Sequence, residues 1–207
     1  MKRSMFAVAA ALGLVAGTTC AANELALDFS SVIIDTTNGS WSLGWEFTAN
    51  ADIVVTELGF YDDLMNDLVE SHEVGIFDLA GNLLVSGTVN PGDPLNSWWR
   101  FTDVPDTALS AGDSYVIAAV TLTENYTWNP IGFVTAPEIS FVVDRWVSSF
   151  RLDFPTESDG GGLIGWFGPN FNFVPGPGGI ALLLLGGLIG TRRRRCRART
   201  GRSRPDR

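Results

Sequence analysis

The sequence predicts an all-β body, an antiparallel two-sheet sandwich of jelly-roll-like form, framed by an N-terminal signal peptide and a short C-terminal transmembrane helix. Three observations carry this. Apolar residues between positions 23 and 173 recur with period 2, turn-forming residues separate the runs, and no stretch of that region sustains a helical period. The 207 residues suffice for one ordinary domain plus processing segments.

The first segment, 1–22, reads as the signal peptide. Lys2 and Arg3 form its basic start, Met5–Val15 its apolar run, and Cys20-Ala21-Ala22 a small-residue cleavage site before Asn23. Lipid attachment at Cys20 is the poorer match, because Thr19 stands where that signal carries Gly or a small apolar residue.

In the body, 23–173, Trp41, Leu43, Trp45 and Phe47 alternate with Ser42, Gly44, Glu46 and Thr48, as a half-buried strand requires. Val54, Leu58 and Phe60 are placed on one side of the next run. Val74 and Ile76 follow, then Leu83, Val85 and Val89. Trp99 and Phe101 alternate with Trp98, Arg100 and Thr102. Ser114–Leu122 is apolar on both sides, which predicts a central strand. Ile139, Phe141, Val143 and Val147 are placed on one side, as are Phe150, Leu152 and Phe154. Asn38-Gly39, Ala80-Gly81-Asn82, Asn90-Pro91-Gly92-Asp93-Pro94 and Ala111-Gly112-Asp113 supply the turns. Asp159-Gly160-Gly161-Gly162 predicts a loop before a last strand through Phe171 and Phe173, which runs straight into Pro175.

Charge is laid out in blocks. Residues 23–174 hold 22 Asp and Glu against Arg100, Arg145 and Arg151, a net of −19, whereas the last seventeen residues hold nine Arg against Asp206. An acidic body repels nucleic acid, whose phosphates must be met by Lys or Arg, so no nucleic-acid partner is expected. Cys20 and Cys196 both fall in segments expected to be removed. The mature body then has no thiol for a disulfide, a metal or a nucleophile.

Candidate sites within the body are few. Asp62, Asp63, Asn66, Asp67, Glu70 and Glu73 crowd one inter-strand loop, and Asp62, Asp63, Asp67 and Glu70 are candidate ligands for a structural calcium ion. The alternative is a solvated acidic loop. His72, the one histidine, shares a side with Val74 and Ile76 and reads as a strand-end residue with one hydrogen-bond partner rather than a general base. Trp41 and Trp45 belong to the core face. Trp98, Trp128, Trp146 and Trp166 fall on polar sides or in loops and are candidates for stacking on sugar rings, against simple packing at a sheet edge. No catalytic residue is assigned, because no Gly-x-Ser-x-Gly, His-Glu-x-x-His or phosphate-binding loop occurs. No cofactor is expected beyond the calcium ion.

The C-terminal end is ordered in three parts. Val174-Pro175-Gly176-Pro177-Gly178 precedes an apolar run, Gly179–Gly190, and the cluster Arg192, Arg193, Arg194 and Arg195 closes it. As a helix the run reaches about 20 Å at ~1.5 Å per residue, short against ~30 Å of hydrocarbon. The arginines stay cytoplasmic by the positive-inside rule, which places the body outside. This ending, 174–195, resembles the PEP-CTERM sorting signal of exosortase substrates, with Gly176 where that family carries Glu and a further basic tail, 196–207. The resemblance implies a signal peptidase and an exosortase-like enzyme as partners, and cleavage near the Pro-Gly-Pro motif. It further implies delivery of the body to the cell surface or extracellular matrix, where exopolysaccharide is a further partner. Leu43-Gly44-Trp45-Glu46-Phe47, Leu58-Gly59-Phe60-Tyr61-Asp62, His72–Asp78 and Leu109–Val116 are similar to a sandwich module common in PEP-CTERM proteins. The resulting expectation is an exported, non-enzymatic surface protein, with a secreted carbohydrate-binding module as alternative and a glycan hydrolase as the remaining one.

Overall fold

A computed structural model describes residues 22–160 and 164–176. The expected signal peptide up to Ala21, Pro177 and Gly178 of the expected sorting motif, the apolar run, Arg192–Arg195 and the basic tail lie outside the described residues. Within them the protein is all-β. Its strands are β1 (Glu24–Leu25), β2 (Leu27–Asp28), β3 (Asp35–Thr36), β4 (Trp41–Ala49), β5 (Ile53–Tyr61), β6 (His72–Asp78) and β7 (Leu83–Val89). These are followed by β8 (Leu95–Asn96), β9 (Trp99–Leu109), β10 (Ser114–Val120), β11 (Tyr126–Thr127), β12 (Val134–Thr135), β13 (Ile139–Ser148) and β14 (Pro169–Pro175). One five-stranded sheet runs β1-β14-β5-β9-β8 and a second runs β13-β4-β10-β6-β7, with two small pairs, β11-β3 and β12-β2. Every pairing is antiparallel. As its two-sided apolar pattern predicts, β10 is the central strand of the second sheet, and Val116 and Ile117 are both wholly buried.

Aromatic contacts join the two large sheets. Trp45 of β4 stacks on Phe171 of β14 with centroids 5.8 Å apart, and Phe47 packs on the same ring at 5.0 Å. The buried Trp45 indole N–H donates to the Pro169 carbonyl at 3.0 Å, so even this polar tip is satisfied inside the core. At the other end, Phe60 of β5 lies flat on His72 of β6, 3.7 Å away. The turns fall where the sequence places them. Gly112 takes φ of 87°, a region that penalises a side chain, and its N–H closes onto the Ala49 carbonyl at 2.7 Å.

Three register shifts move side chains from the sides that a strict period 2 assigns. A bulge at Thr56 lies between Val55 and Glu57, so Ile53 and Val55, not Val54, share the buried side with Leu58 and Phe60. A bulge at Val142 divides β13, so Phe141 pairs with Phe47, but Asp144 and Trp146 then pair with Trp45 and Leu43. Val143 and Val147 therefore leave the side that Phe141 occupies. An irregularity between Ile76 and Phe77 leaves Leu83 half exposed while Val85 and Val89 are buried. One extra residue in a strand reverses every later side chain, because the side-chain period is two.

Residues 149–160 are not the strand that Phe150, Leu152 and Phe154 suggest. They cross the second sheet as an irregular strap, whose Asp153 carbonyl accepts the Ser42 hydroxyl at 2.6 Å. Leu152 sits over Gly75, where an added Cβ would come within 2.8 Å of it, and Phe154 packs edge-on against Phe77. Phe150 points to solvent.

The last strand is held to its end. Val174 and Pro175 pair with Val54 and Ile53, and the Gly176 N–H donates to the Asp52 carbonyl at 2.7 Å. A Cβ on Gly176 would lie 2.7 Å from that same carbonyl oxygen. Val174, Pro175 and Gly176, with which the expected sorting motif opens, thus belong to the folded body, and the approach of Asp52 explains why Gly fits at position 176.

Candidate functional site, an aromatic cleft

Five segments converge at one end of β4. The turn before that strand brings Asn38, the strand brings Trp41 and Leu43, β11 brings Tyr126, β13 brings Trp146, and the stretch before β14 brings Asp159 and Trp166. These seven residues line a cleft of about 170 Å³. The bulge in β13 is what turns Trp146 toward it, and backbone bonds of 3.0 Å each way between Trp146 and Glu157 fix that strand to the returning chain.

The walls are rigid because their polar tips are tied. Asn38 Oδ1 accepts the Trp41 indole N–H at 2.7 Å and the Tyr126 hydroxyl at 2.8 Å. Asp159 Oδ2 accepts the Trp166 indole N–H at 3.0 Å, and the Asp159 amide donates to buried Asp144 at 2.8 Å. Burial pushes the Tyr126 hydroxyl above its ordinary pKa, so it remains protonated and a donor. Trp41 meets Trp146 at 90° with centroids 5.5 Å apart, and Tyr126 meets Trp166 at 83° and 5.5 Å. The Trp146 indole N–H is buried with no hydrogen-bond partner among the described residues.

The tryptophans singled out for sugar stacking divide into two groups. Trp146 and Trp166 line the cleft, and Trp128 flanks Trp166 at 5.8 Å. Trp98 does not join them. Its ring packs on Phe29 at 5.5 Å and its N–H donates to the Phe29 carbonyl at 2.9 Å, so it anchors the N-terminal segment. Trp41, placed with the core by alternation, lines the same cleft and is half-buried. Sequence reasoning missed Tyr126, Asn38 and Asp159. The Asn38-Gly39 turn beside an aromatic strand start was the available signal for one of them.

The acidic loop is closed by protein donors rather than arranged around a cation. Asp62 is 1% exposed, and its carboxylate accepts the amides of Asn66 and Asp67 and the Arg100 Nε at 2.8 Å. Asp67 accepts the Gly92 amide at 2.8 Å, which chiefly holds its carboxyl below the usual range, with the Leu68 amide and Arg100 adding to this. Asp63 accepts from Asn125, and Glu70 from both the amide and hydroxyl of Thr123. Among the described residues no three His, Cys, Asp or Glu side chains are placed to hold a metal ion. Asp62, Asp63, Asp67 and Glu70, the expected calcium ligands, are thus each bonded to protein donors, with the Arg100 guanidinium as the loop's internal cation.

His72 is wholly buried. Its Nδ1 bonds the Val120 carbonyl at 2.8 Å, while Nε2 has no partner among the described residues. Burial, only partly offset by the Val120 carbonyl and by Glu70, lowers its pKa below 6.5. The unfolded chain then binds the proton more readily, so stability is complete above about pH 6.5 and is lost as pH falls from there toward the folded pKa. Melting curves between pH 7.5 and 5 should show this fall, and His72→Gln should flatten it. An equal fall in the variant would place the acid sensitivity elsewhere.

These features define an all-β module with a preformed aromatic recess at one end of a strand row. Residues 30–158 match the family described as a domain of unknown function, DUF4082, and the chain belongs to that family. Among curated proteins none matches it.

Proposed function

We propose that this chain is an exported, non-enzymatic surface or extracellular-matrix protein whose body is a jelly-roll-like two-sheet sandwich built for recognition. The aromatic cleft carries the recognition part of this reading. It offers pre-set ring faces with tied polar tips, and a pocket that is already formed loses little freedom on binding. Asp159 is the single carboxylate among its seven lining residues, whereas glycan hydrolysis uses a pair flanking the bond. The sandwich reading is supported by strand order, since β4, β5 and β6 pass from one large sheet to the other and back. A secreted carbohydrate-binding module is the second reading, favoured by Trp128, which extends the aromatic row beyond Trp166.

Export and sorting rest on the two chain ends: the basic-apolar-small leader and the Pro-Gly-Pro, apolar run and Arg cluster. In this account signal peptidase cuts before Asn23 and an exosortase-like enzyme removes the tail near Pro175–Gly178. Intact mass of the protein recovered from cell surface or medium tests it. The expected species lacks both the leader and Arg192–Arg207. A recovered species that still carries those arginines would reduce the C-terminal segment to a simple anchor.

A further inference from the structure

We propose that the cleft is an aromatic cage for a quaternary ammonium group. This rests on reading the cleft as a binding site, and it names the chemistry the site would take. A flat sugar ring is met by aromatic faces laid along it, whereas Trp41 and Trp146 stand at 90° and Tyr126 and Trp166 at 83°. Walls at right angles enclose a compact, rounded group. The faces of Trp and Tyr are negative, and they attract a cation lying within about 6 Å of the ring centroid. The space of about 170 Å³ is well below the ~300–1,000 Å³ that encloses a drug-sized ligand, which suits one small headgroup.

Charge selects in the same direction. Asp159 is the one charged group among the lining residues, and Asp144 lies buried behind it, bonded to the Asp159 amide. The neighbouring Arg145 is paired with Glu46 and thereby neutralised. A body of net −19 concentrates cations and repels uronates and other anions. The indole and hydroxyl donors of Trp41, Tyr126 and Trp166 are already bonded, which leaves the buried Trp146 indole N–H as the one unpaired donor among the four aromatic walls, so a ligand rich in hydroxyls meets few partners there. A methylated ammonium group requires no hydrogen bonds.

The test is titration of the full-length chain in a polyoxyethylene detergent, followed by tryptophan fluorescence. The probes are choline, tetramethylammonium, the neutral isostere 3,3-dimethylbutan-1-ol, and a panel of neutral mono- and oligosaccharides. Choline and tetramethylammonium should bind saturably, and the isostere at least ~10-fold more weakly. Asp159→Asn should weaken choline several-fold and leave the isostere unchanged. Trp166→Ala should abolish binding, with unchanged strand circular dichroism showing the fold intact. Phosphocholine beside choline separates the sources: equal affinity assigns a lipid headgroup, weaker binding a free base. Equal binding of choline and its isostere would overturn the cation and leave an apolar recess. Sugar binding without choline binding would overturn the cage yet keep the recognition site. No saturable response from any probe would overturn both.

Discussion

Replacing Arg100 by Ala is expected to destabilise the protein by about 3–5 kcal/mol, a large share of the ~5–15 kcal/mol that holds a typical domain. Arg100 is 12% exposed and Asp62 1%, so the lost guanidinium leaves a carboxylate buried without its cation. The damage spreads because the same side chain contacts Asp67 at 3.1 Å and donates to the Asp93 carbonyl at 2.9 Å, tying together two loops and the start of β9. A second substitution separates charge from packing. Asp62→Asn in the Arg100→Ala background removes the unpaired charge and should recover part of the loss in urea unfolding, although one of its two accepted amide bonds is forfeited. No recovery would mean that Arg100 acts mainly through the Asp93 carbonyl and its own stem.

Trp45→Ala should lose a comparable amount, again about 3–5 kcal/mol. The ring is wholly buried, stacks on Phe171 across the sheets, and satisfies the Pro169 carbonyl. Truncation therefore leaves both a cavity and an unpaired acceptor at the place where β4 meets β14. Trp45→Phe keeps most of the volume but not the donor, so it should lie between the two. If the Ala variant lost less than about 1 kcal/mol by urea unfolding, the aromatic layer would not be the main contact between these sheets.

The strand content and turns were legible because both depend on local chemistry. Alternation around Trp45, the two-sided apolar run around Ile117 and the Gly112 turn each declare themselves within a few residues. The sidedness of β5 and β13 was not, because the bulges at Thr56 and Val142 are set by pairing with distant strands. Trp146 illustrates the consequence. By alternation it falls on a polar side, yet the bulge turns it into the cleft beside Trp41. The cleft as a unit was hidden for the same reason, since its lining residues come from positions 38 to 166. Nor does a count of carboxylates reveal that the Asp62–Glu70 loop carries its own cation. Arg100 is thirty-eight positions beyond Asp62 and reaches it only through the pairing of β9 with β5.

The central claim is that recognition occurs at the cleft formed by Trp41, Tyr126, Trp146 and Trp166. Fluorine NMR of the full-length chain labelled with 5-fluorotryptophan tests it most directly, since each of the seven tryptophans reports separately. On titration with choline and with the sugar panel, the account predicts that the binding ligand shifts the resonances of Trp41, Trp146 and Trp166. Those of the wholly buried Trp45 and Trp99 should remain in place. A ligand that moves Trp98 alone, or a full panel that moves none of the three cleft resonances, would contradict it.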